Sequence, residues 1–307
     1  MPVLAPKRFH FTDLDQYRTA VRNLKVEFTP LVREISAEQV ILNLPGCDIN
    51  FAKSFPRIAD GQLAENCTAV GFSMDDGFPI RFNGVERDQA AIVIGSSGAA
   101  YSTVERAERK FTSIIFTQEV QNRGWPRAGS NWKAFETSVA AQHGLRELVR
   151  QILSTSATFD ACEAGDASSA IRESLLAGID AAFAHVVDSR WAFHANDLER
   201  FRIFRDIQEV LSGNMGRPVY SDELAREVGA SVRTMHEAIK RYRGMSLHRY
   251  LRLRRLWLVR QRLLAGAHSV KACALAFGFW HLGDFARSYR LQFGERPSDT
   301  LVKSRLQ

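Results

Sequence analysis

Ser221-Asp222-Glu223-Leu224-Ala225-Arg226-Glu227-Val228-Gly229-Ala230-Ser231-Val232-Arg233-Thr234-Met235-His236-Glu237-Ala238-Ile239-Lys240-Arg241-Tyr242-Arg243 is the stretch that decides the fold of the last third of this chain. Ser221 suits a helix N-cap, and Asp222 and Glu223 place negative charge at the positive end of the helix that follows. Leu224, Ala225 and Val228 form its apolar face. Gly229 supplies a tight turn and Ser231 caps a second helix. The spacing puts Val232, Met235, Ile239 and Tyr242 on the inner side of that helix. Arg233, Thr234, His236, Glu237, Lys240 and Arg241 face the other way. A short helix, a glycine turn and a second helix that is apolar inside and polar outside make a helix-turn-helix with a recognition helix.

The pattern recurs downstream. Ser269 caps Val270–Phe277, Ala274 is small where two helices must approach, and Gly278 makes the turn. A second recognition helix runs from about His281 to Gln292, with Phe285 and Tyr289 inward at i, i+4. His281, Gly283, Arg287 and Arg290 face out. Between the two units, Ser246–Leu264 reads as one long helix carrying Arg249, Arg252, Arg254, Arg255, Arg260 and Arg262. Two units held on one rigid helix would present two recognition helices to one side of a duplex, and a spacing near one DNA turn of about 34 Å would admit both to successive major grooves.

Charge points the same way. Residues 196–307 hold 21 Lys+Arg against 11 Asp+Glu, a net of +10. Residues 1–195 hold 20 against 23, a net of −3, and the two sum to the +7 of the whole chain. A positive excess confined to one third implies a polyanionic partner for that third, with nucleic acid first and an anionic membrane surface second.

The residues ahead of it divide into a β-rich part, about 1–130, and a helical part, about 131–195. Strands are expected at Val26–Thr29, Gln39–Leu42, Ile49–Ala52, Cys67–Met74, Phe78–Asn83, Ala90–Ile94 and Phe111–Thr117. Pro45-Gly46, Asp60-Gly61, Asp76-Gly77 and Asn83-Gly84 read as turns. Many short strands suggest a sandwich or barrel. Two amphipathic helices follow within about 142–188, separated by a small-residue loop at Glu163–Ser169. Leu145, Leu148, Val149 and Ile152 form the apolar face of the first, and Ile171, Leu175, Ile179, Ala182, Phe183 and Val186 that of the second. Such stripes must be buried, either at a dimer seam or on the β domain of the same chain.

The C-terminal third resembles the AraC/XylS transcription regulators. The resemblance covers about residues 199–303 and rests on Ser221–Arg243, on Gly244-Met245-Ser246 before Tyr250-Leu251, and on Gly278-Phe279, Phe285, Tyr289, Phe293-Gly294 and Pro297-Ser298. Within the family, Gly278-Phe279-Trp280-His281-Leu282-Gly283-Asp284-Phe285-Ala286 is most similar to the ethanolamine-operon regulator subgroup. The resemblance implies a seven-helix DNA-binding domain without enzymatic activity. It implies DNA contacts at Arg233, His236 and Glu237 in the first recognition helix and at Leu282, Gly283, Ala286 and Arg287 in the second. It also implies a jelly-roll or cupin-like N-terminal domain, hence an α+β chain with an all-α C-terminal domain. Glu237, Ile239 and Leu247 depart from the residues frequent in the family. Glu237 can accept from cytosine N4 or be repelled by phosphate, and Arg287 matches guanine O6 and N7. Arg252 is expected to touch phosphate.

Other residues carry less. Of eight histidines only His10 precedes residue 143, too few for a metal barrel. No metal, cofactor or catalytic group is therefore expected. Gly95-Ser96-Ser97-Gly98 lacks the spacing of a phosphate loop or nucleophile elbow and reads as a turn. His185 and His194 read as ordinary helix-face residues. Phe51, Phe55, Phe72, Phe78, Phe82 and Trp125 either line an effector pocket or fill the core. Cys47, Cys67, Cys162 and Cys273 lie far apart, which favours a reducing compartment. Met1 to Phe11 contains no apolar run of the kind a signal peptide needs, and no stretch is long and apolar enough to span a bilayer. The expectation is a cytoplasmic regulator that binds double-stranded promoter DNA, forms a homodimer, responds to a small-molecule effector and contacts RNA polymerase. The rivals are a ligand-independent architectural protein and an enzyme with a DNA-binding tail.

Overall fold

Alternation of apolar and polar residues builds the N-terminal half into two antiparallel sheets. The computed structural model describes residues 5–12, 17, 23–32, 34–76, 80–87, 91–117, 120–126, 129–156, 164–184, 186, 195–214 and 216–304. By contact density the chain divides into two compact units, Met1–Pro30 with Ile35–Ala192, and Phe193–Gln307 with Leu31–Glu34. The strands are β1 Lys7–Phe11, β2 Leu24–Pro30, β3 Ala37–Leu44, β4 Cys47–Ser54, β5 Arg57–Leu63, β6 Thr68–Ser73, β7 Ile80–Phe82, β8 Val85–Arg87, β9 Ala91–Ser96, β10 Ala100–Glu105, β11 Arg109–Phe116 and β12 Lys133–Glu136. A seven-stranded sheet runs β1-β3-β4-β11-β6-β9-β12, and a five-stranded sheet runs β2-β5-β10-β7-β8. Most consecutive strands sit in different sheets, the exceptions being β3–β4, β7–β8 and β11–β12. On β11, Ile114 and Phe116 face one way and Phe111 and Ile115 the other. The period of two thus gives the large sheet an apolar residue on both faces.

One face packs on the smaller sheet, through Leu63, Phe82, Val93, Ile115 and Trp132. The other is covered by helices α1 Val139–Thr155 and α2 Ala164–Ala184. Leu145, Val149, Ile152, Leu175 and Ile179 share one core with Leu42, Ile49, Val70, Phe72, Ile92 and Ile114. Leu175 and Ile179 are fully buried there. Their stripe is therefore not a dimer seam but is taken up inside the chain. Trp125 belongs to the same core and donates its indole N–H to Asp180 at 2.6 Å.

Several expectations need correction. Asp60-Gly61 is not a turn but the interior of β5. A Cβ at Gly61 would overlap the ring of Tyr101 on β10, so the glycine serves close packing. Residues 164–169 are helical, because alanine is a strong helix former and Ser168 and Ser169 turn their hydroxyls onto the Gly165 carbonyl. The helical part begins after residue 131, since Lys133–Glu136 pairs with β9 as an edge strand. Phe55, Phe72 and Trp125 are core residues, and Phe51 is half-buried. By contrast, Asn83-Gly84 does turn between β7 and β8, both residues at positive φ, 46° and 80°. Phe78, Gly77, His185, His194 and Cys162 lie outside the described residues.

Cys47, Cys67 and Cys273 are buried and unbridged, each in a different core. Burial pushes the Cys47 thiol up to about 12, and it raises Cys67 and Cys273 as well.

Candidate nucleic-acid interface and inner cavity

Among the described residues, seven helices form the C-terminal unit: α3 Ala195–Gly213, α4 Ser221–Val228, α5 Val232–Arg243, α6 Leu247–Leu264, α7 Val270–Ala276, α8 Leu282–Phe293 and α9 Pro297–Ser304. They enclose two cores. Ile207, Leu224, Met235, Ile239, Tyr242, Leu247 and Leu251 fill the first. Leu256, Val259, Leu263, Ala274, Phe285, Tyr289 and Leu301 fill the second. Helix α6 serves both, its first turns facing one core and its later turns the other. At 18 residues it is roughly 27 Å long.

Caps fix where the helices start. Ser231, Ser246 and Ser269 each accept the backbone N–H three residues on, at 3.1, 3.2 and 3.3 Å. Ser221 does not cap α4; Tyr220 holds that position and its carbonyl accepts the Leu224 N–H at 2.9 Å. Gly229 and Gly278 make the two inter-helix turns at φ of 68° and 76°. Val232, expected inside, is 40% exposed at the first position of the helix, and Ala238 joins the buried face instead.

The outer faces differ. On α5, Arg233, His236, Glu237 and Lys240 are exposed, and Thr234 and Arg241 are half-buried. Arg233 and Glu237 pair across one turn at 3.4 Å. On α8, Gly283, Ala286, Arg287 and Arg290 are exposed and Leu282 is half-buried. His281 is the N-cap of α8 rather than its first helical residue, and its side chain makes no capping bond.

Four of the six α6 arginines are engaged within the domain, while Arg249 and Arg262 are exposed. Arg252 is half-buried and donates to Ser288 Oγ on α8 at 2.7 Å. Arg254 donates to the Leu211 carbonyl. Arg255 lies over the rings of Tyr220 and Phe279, at 5.5 and 5.2 Å, and burial lowers its pKa. Arg260 pairs with Glu295 at 3.1 Å, which also receives Thr300 and Lys303. Burial disfavours the Glu295 charge, but Lys303, Thr300 and Arg260 outweigh it and hold the carboxyl below its ordinary value. Arginine's planar fork lets one side chain stack and donate at once, so these residues brace helices rather than advertise charge. Their internal use is invisible to spacing alone.

In the N-terminal unit, a cavity opens between the two sheets, lined among others by Phe28, Gln39, Arg57, Phe82, Tyr101 and Trp132. Of the aromatics weighed for an effector pocket, Phe82 lies here. Arg57 is buried, bonded to Glu105 at 3.1 Å and to the Tyr17 hydroxyl at 2.7 Å. Burial works against its charge, and Glu105 and Tyr17 more than restore it. Gln39 is 1% exposed, and its Oε1 has no partner among the described residues. Sequence spacing did not single out Gln39, Arg57 or Tyr101, since inward polar residues on a strand look like outward ones. Among the described residues no three His, Cys, Asp or Glu side chains cluster as metal ligands. Among the described residues no helix is long and apolar enough to cross a membrane.

Known proteins supply a frame for these helices. Residues 224–302 match the family described as "Helix-turn-helix domain". The chain is 28% identical over 205 residues to the XylDLEGF operon transcriptional activator 1 of Pseudomonas putida, a match covering 64% of this chain and 59% of that protein. It is 35% identical over 101 residues to the XylDLEGF operon transcriptional activator 2 of the same organism, covering 32% of this chain and 64% of that one. A solved structure, a probable AraC family transcriptional regulator from Rhodopseudomonas palustris, is 38% identical, with 33% of this chain and 96% of that chain covered and a TM-score of 0.30. The chain thus spans about three fifths of the length of these curated relatives. With two capped units, their glycine turns and this matched segment, the C-terminal part of the chain is a helix-turn-helix domain, similar in sequence to those of the XylDLEGF operon transcriptional activators.

Proposed function

We propose that this protein is a sequence-specific DNA-binding transcription regulator, with its DNA-binding domain at about 196–307. One observation carries the reading: two helix-turn-helix units, each with its own core, share α6, in a segment of net charge +10. In this reading Arg233, Thr234, His236, Glu237, Lys240 and Arg241 face DNA from the first unit. His281, Leu282, Gly283, Ala286, Arg287 and Arg290 do so from the second. Arg252 acts through its bond to Ser288, which holds α8 in place. The activator names of the relatives support activation through RNA polymerase, and Gly278–Ala286 supports a place near the ethanolamine-operon subgroup. The site of action is the cytoplasm, where promoter DNA is.

The N-terminal unit takes a small-molecule effector in the cavity between its sheets. Gln39 Oε1 offers an acceptor there, and the Arg57 charge is already answered by Glu105. An uncharged ligand with a donor group suits that lining. Two chains pair as a homodimer through a surface other than the buried α1–α2 stripe. The effector shifts the population between states of different half-site spacing or polymerase contact.

The test is duplex binding by the full chain across a salt series. Affinity for duplexes selected from a random library should fall steeply as salt rises, because each neutralised phosphate releases counterions. Binding indifferent to salt, or no binding by folded protein, overturns the reading. A metabolite that raises the melting temperature and alters DNA protection separates a regulator from a ligand-independent architectural protein.

A further inference from the structure

The second recognition helix has few polar groups to offer a base. Leu282, Gly283 and Ala286 carry no side-chain donor or acceptor, and open space surrounds the position a Cβ would take at Gly283. Among the exposed His281, Asp284, Arg287 and Arg290 around them, the largest apolar side chain is Trp280, 71% exposed.

Local geometry explains why Trp280 faces out. Gly278 turns the chain, and the Phe279 N–H donates to the Ala274 carbonyl at 3.0 Å. The Phe279 ring then packs on Phe285 at 5.0 Å. Residue 280 directly precedes the N-cap His281, where an apolar side chain commonly folds back onto the fourth helical residue. That residue is Phe285, and Phe279 already occupies its face. Trp280 is thus spared from the second core, of which it is not a member. Among the described residues its ring meets no other aromatic. A solvent-exposed indole on an otherwise charged domain, one residue from the start of a groove-reading helix, calls for a partner with an apolar feature inside the groove.

B-DNA has one such feature in the major groove, the C5-methyl of thymine, read by apolar contact rather than by hydrogen bonds. We infer that the second unit reads thymine methyl groups: Trp280 and Leu282 pack on methyls at one end of its half-site, the Ala286 methyl on a third, and Gly283 lets the helix approach closely enough for this. Arg287 and Arg290, exposed on the same helix, supply the polar contacts beside them. This inference rests on the DNA-binding reading above and adds the base chemistry of the second half-site.

The test uses the full chain and a duplex selected from a random library with that chain. Each thymine is replaced singly by deoxyuridine, which removes only the methyl. The half-site of the second unit is the one whose protection Arg287→Ala alters. There, deoxyuridine should weaken binding about fourfold per contacted methyl, the worth of one buried methylene-sized group. It should do less than twofold in the other half-site. Trp280→Ala should weaken the unmodified duplex roughly tenfold and abolish the deoxyuridine effect at one or two positions, and Trp280→Phe should restore part of it. Circular dichroism shows whether Trp280→Ala stays folded, and Leu282→Ser serves as an independent second variant. Deoxyuridine effects that stay the same in Trp280→Ala and Leu282→Ser, or a second half-site without thymine, overturn the inference while the DNA-binding reading stands. Absence of any salt-dependent duplex binding overturns both.

Discussion

The two helix-turn-helix units share a scaffold and differ at the surface. Each has a short helix, a glycine at positive φ and an outer helix seated by a buried tyrosine, Tyr242 in one and Tyr289 in the other. Around that common frame the first unit shows charge and an internal Arg233–Glu237 pair, and the second shows glycine, alanine and an exposed tryptophan. Packing constrains the inner face of such a unit tightly and leaves its outer face open to whatever the groove requires. Duplicated architecture need not mean duplicated recognition.

If the two cores are separate, damage to one should spare the other. Tyr289 is fully buried between Phe285 and Phe293 and bonds the Thr300 hydroxyl at 2.8 Å. Tyr289→Ala should cost about 3–5 kcal/mol. Hydrogen exchange should show α7–α9 amides losing protection while those of α4 and α5 keep theirs. Equal loss in both units would make them one cooperative core.

The turn glycines sharpen the contrast. A Cβ at Gly229 meets nothing, so Gly229→Ala should cost about 1 kcal/mol for positive φ alone. A Cβ at Gly278 would overlap the Tyr220 hydroxyl, which must swing away from Arg255 to admit it. Gly278→Ala should therefore cost about 2–3 kcal/mol by urea denaturation. Equal costs would mean that Tyr220 does not brace the second turn.

On DNA, Arg287→Ala should cost about 2 kcal/mol and relax preference at one base pair. Arg233→Ala should cost less, because Glu237 already shares that guanidinium. The reverse order by footprint titration would move the main reader to the first unit.

The smallest effect concerns pH. Glu295 titrates below its ordinary 4.5, so its ionised form stabilises the second unit above that pH, and the contribution disappears as pH falls through the lower, folded-state value. Glu295→Gln should lose about 1 kcal/mol at neutral pH, and the gap to the parent should close in acid. A gap that is constant with pH would assign the loss to packing.

Much of the C-terminal unit was legible in the sequence because caps, turn glycines and inward aromatics each leave a local mark. Ser231, Ser269, Gly229 and Gly278 sit where spacing put them. The inward use of Arg254 and Arg255 was not legible, since a side chain spent on a carbonyl or a ring has the same letter as one facing solvent. In the β half, Asp60-Gly61 looked like a turn because the cause of the glycine, Tyr101, lies forty residues away in the chain. Strands β5, β10 and β12 escaped notice for a related reason: their partners lie far off in the chain, β5 and β10 pairing with each other and β12 with β9, so that polar residues such as Arg57 and Thr103 are placed by a neighbouring strand. The buried Gln39 and Arg57 of the cavity share that origin.

The three thiols described above make the protein its own unfolding clock. Cys47 lies in the sheet–helix core, Cys67 between the sheets and Cys273 in the second core of the C-terminal unit. Buried and held protonated, each is inert to alkylation until its own core opens. In a Cys162→Ser background, the order in which mass spectrometry finds the three alkylated is the order in which the layers come apart, without a probe added to the chain.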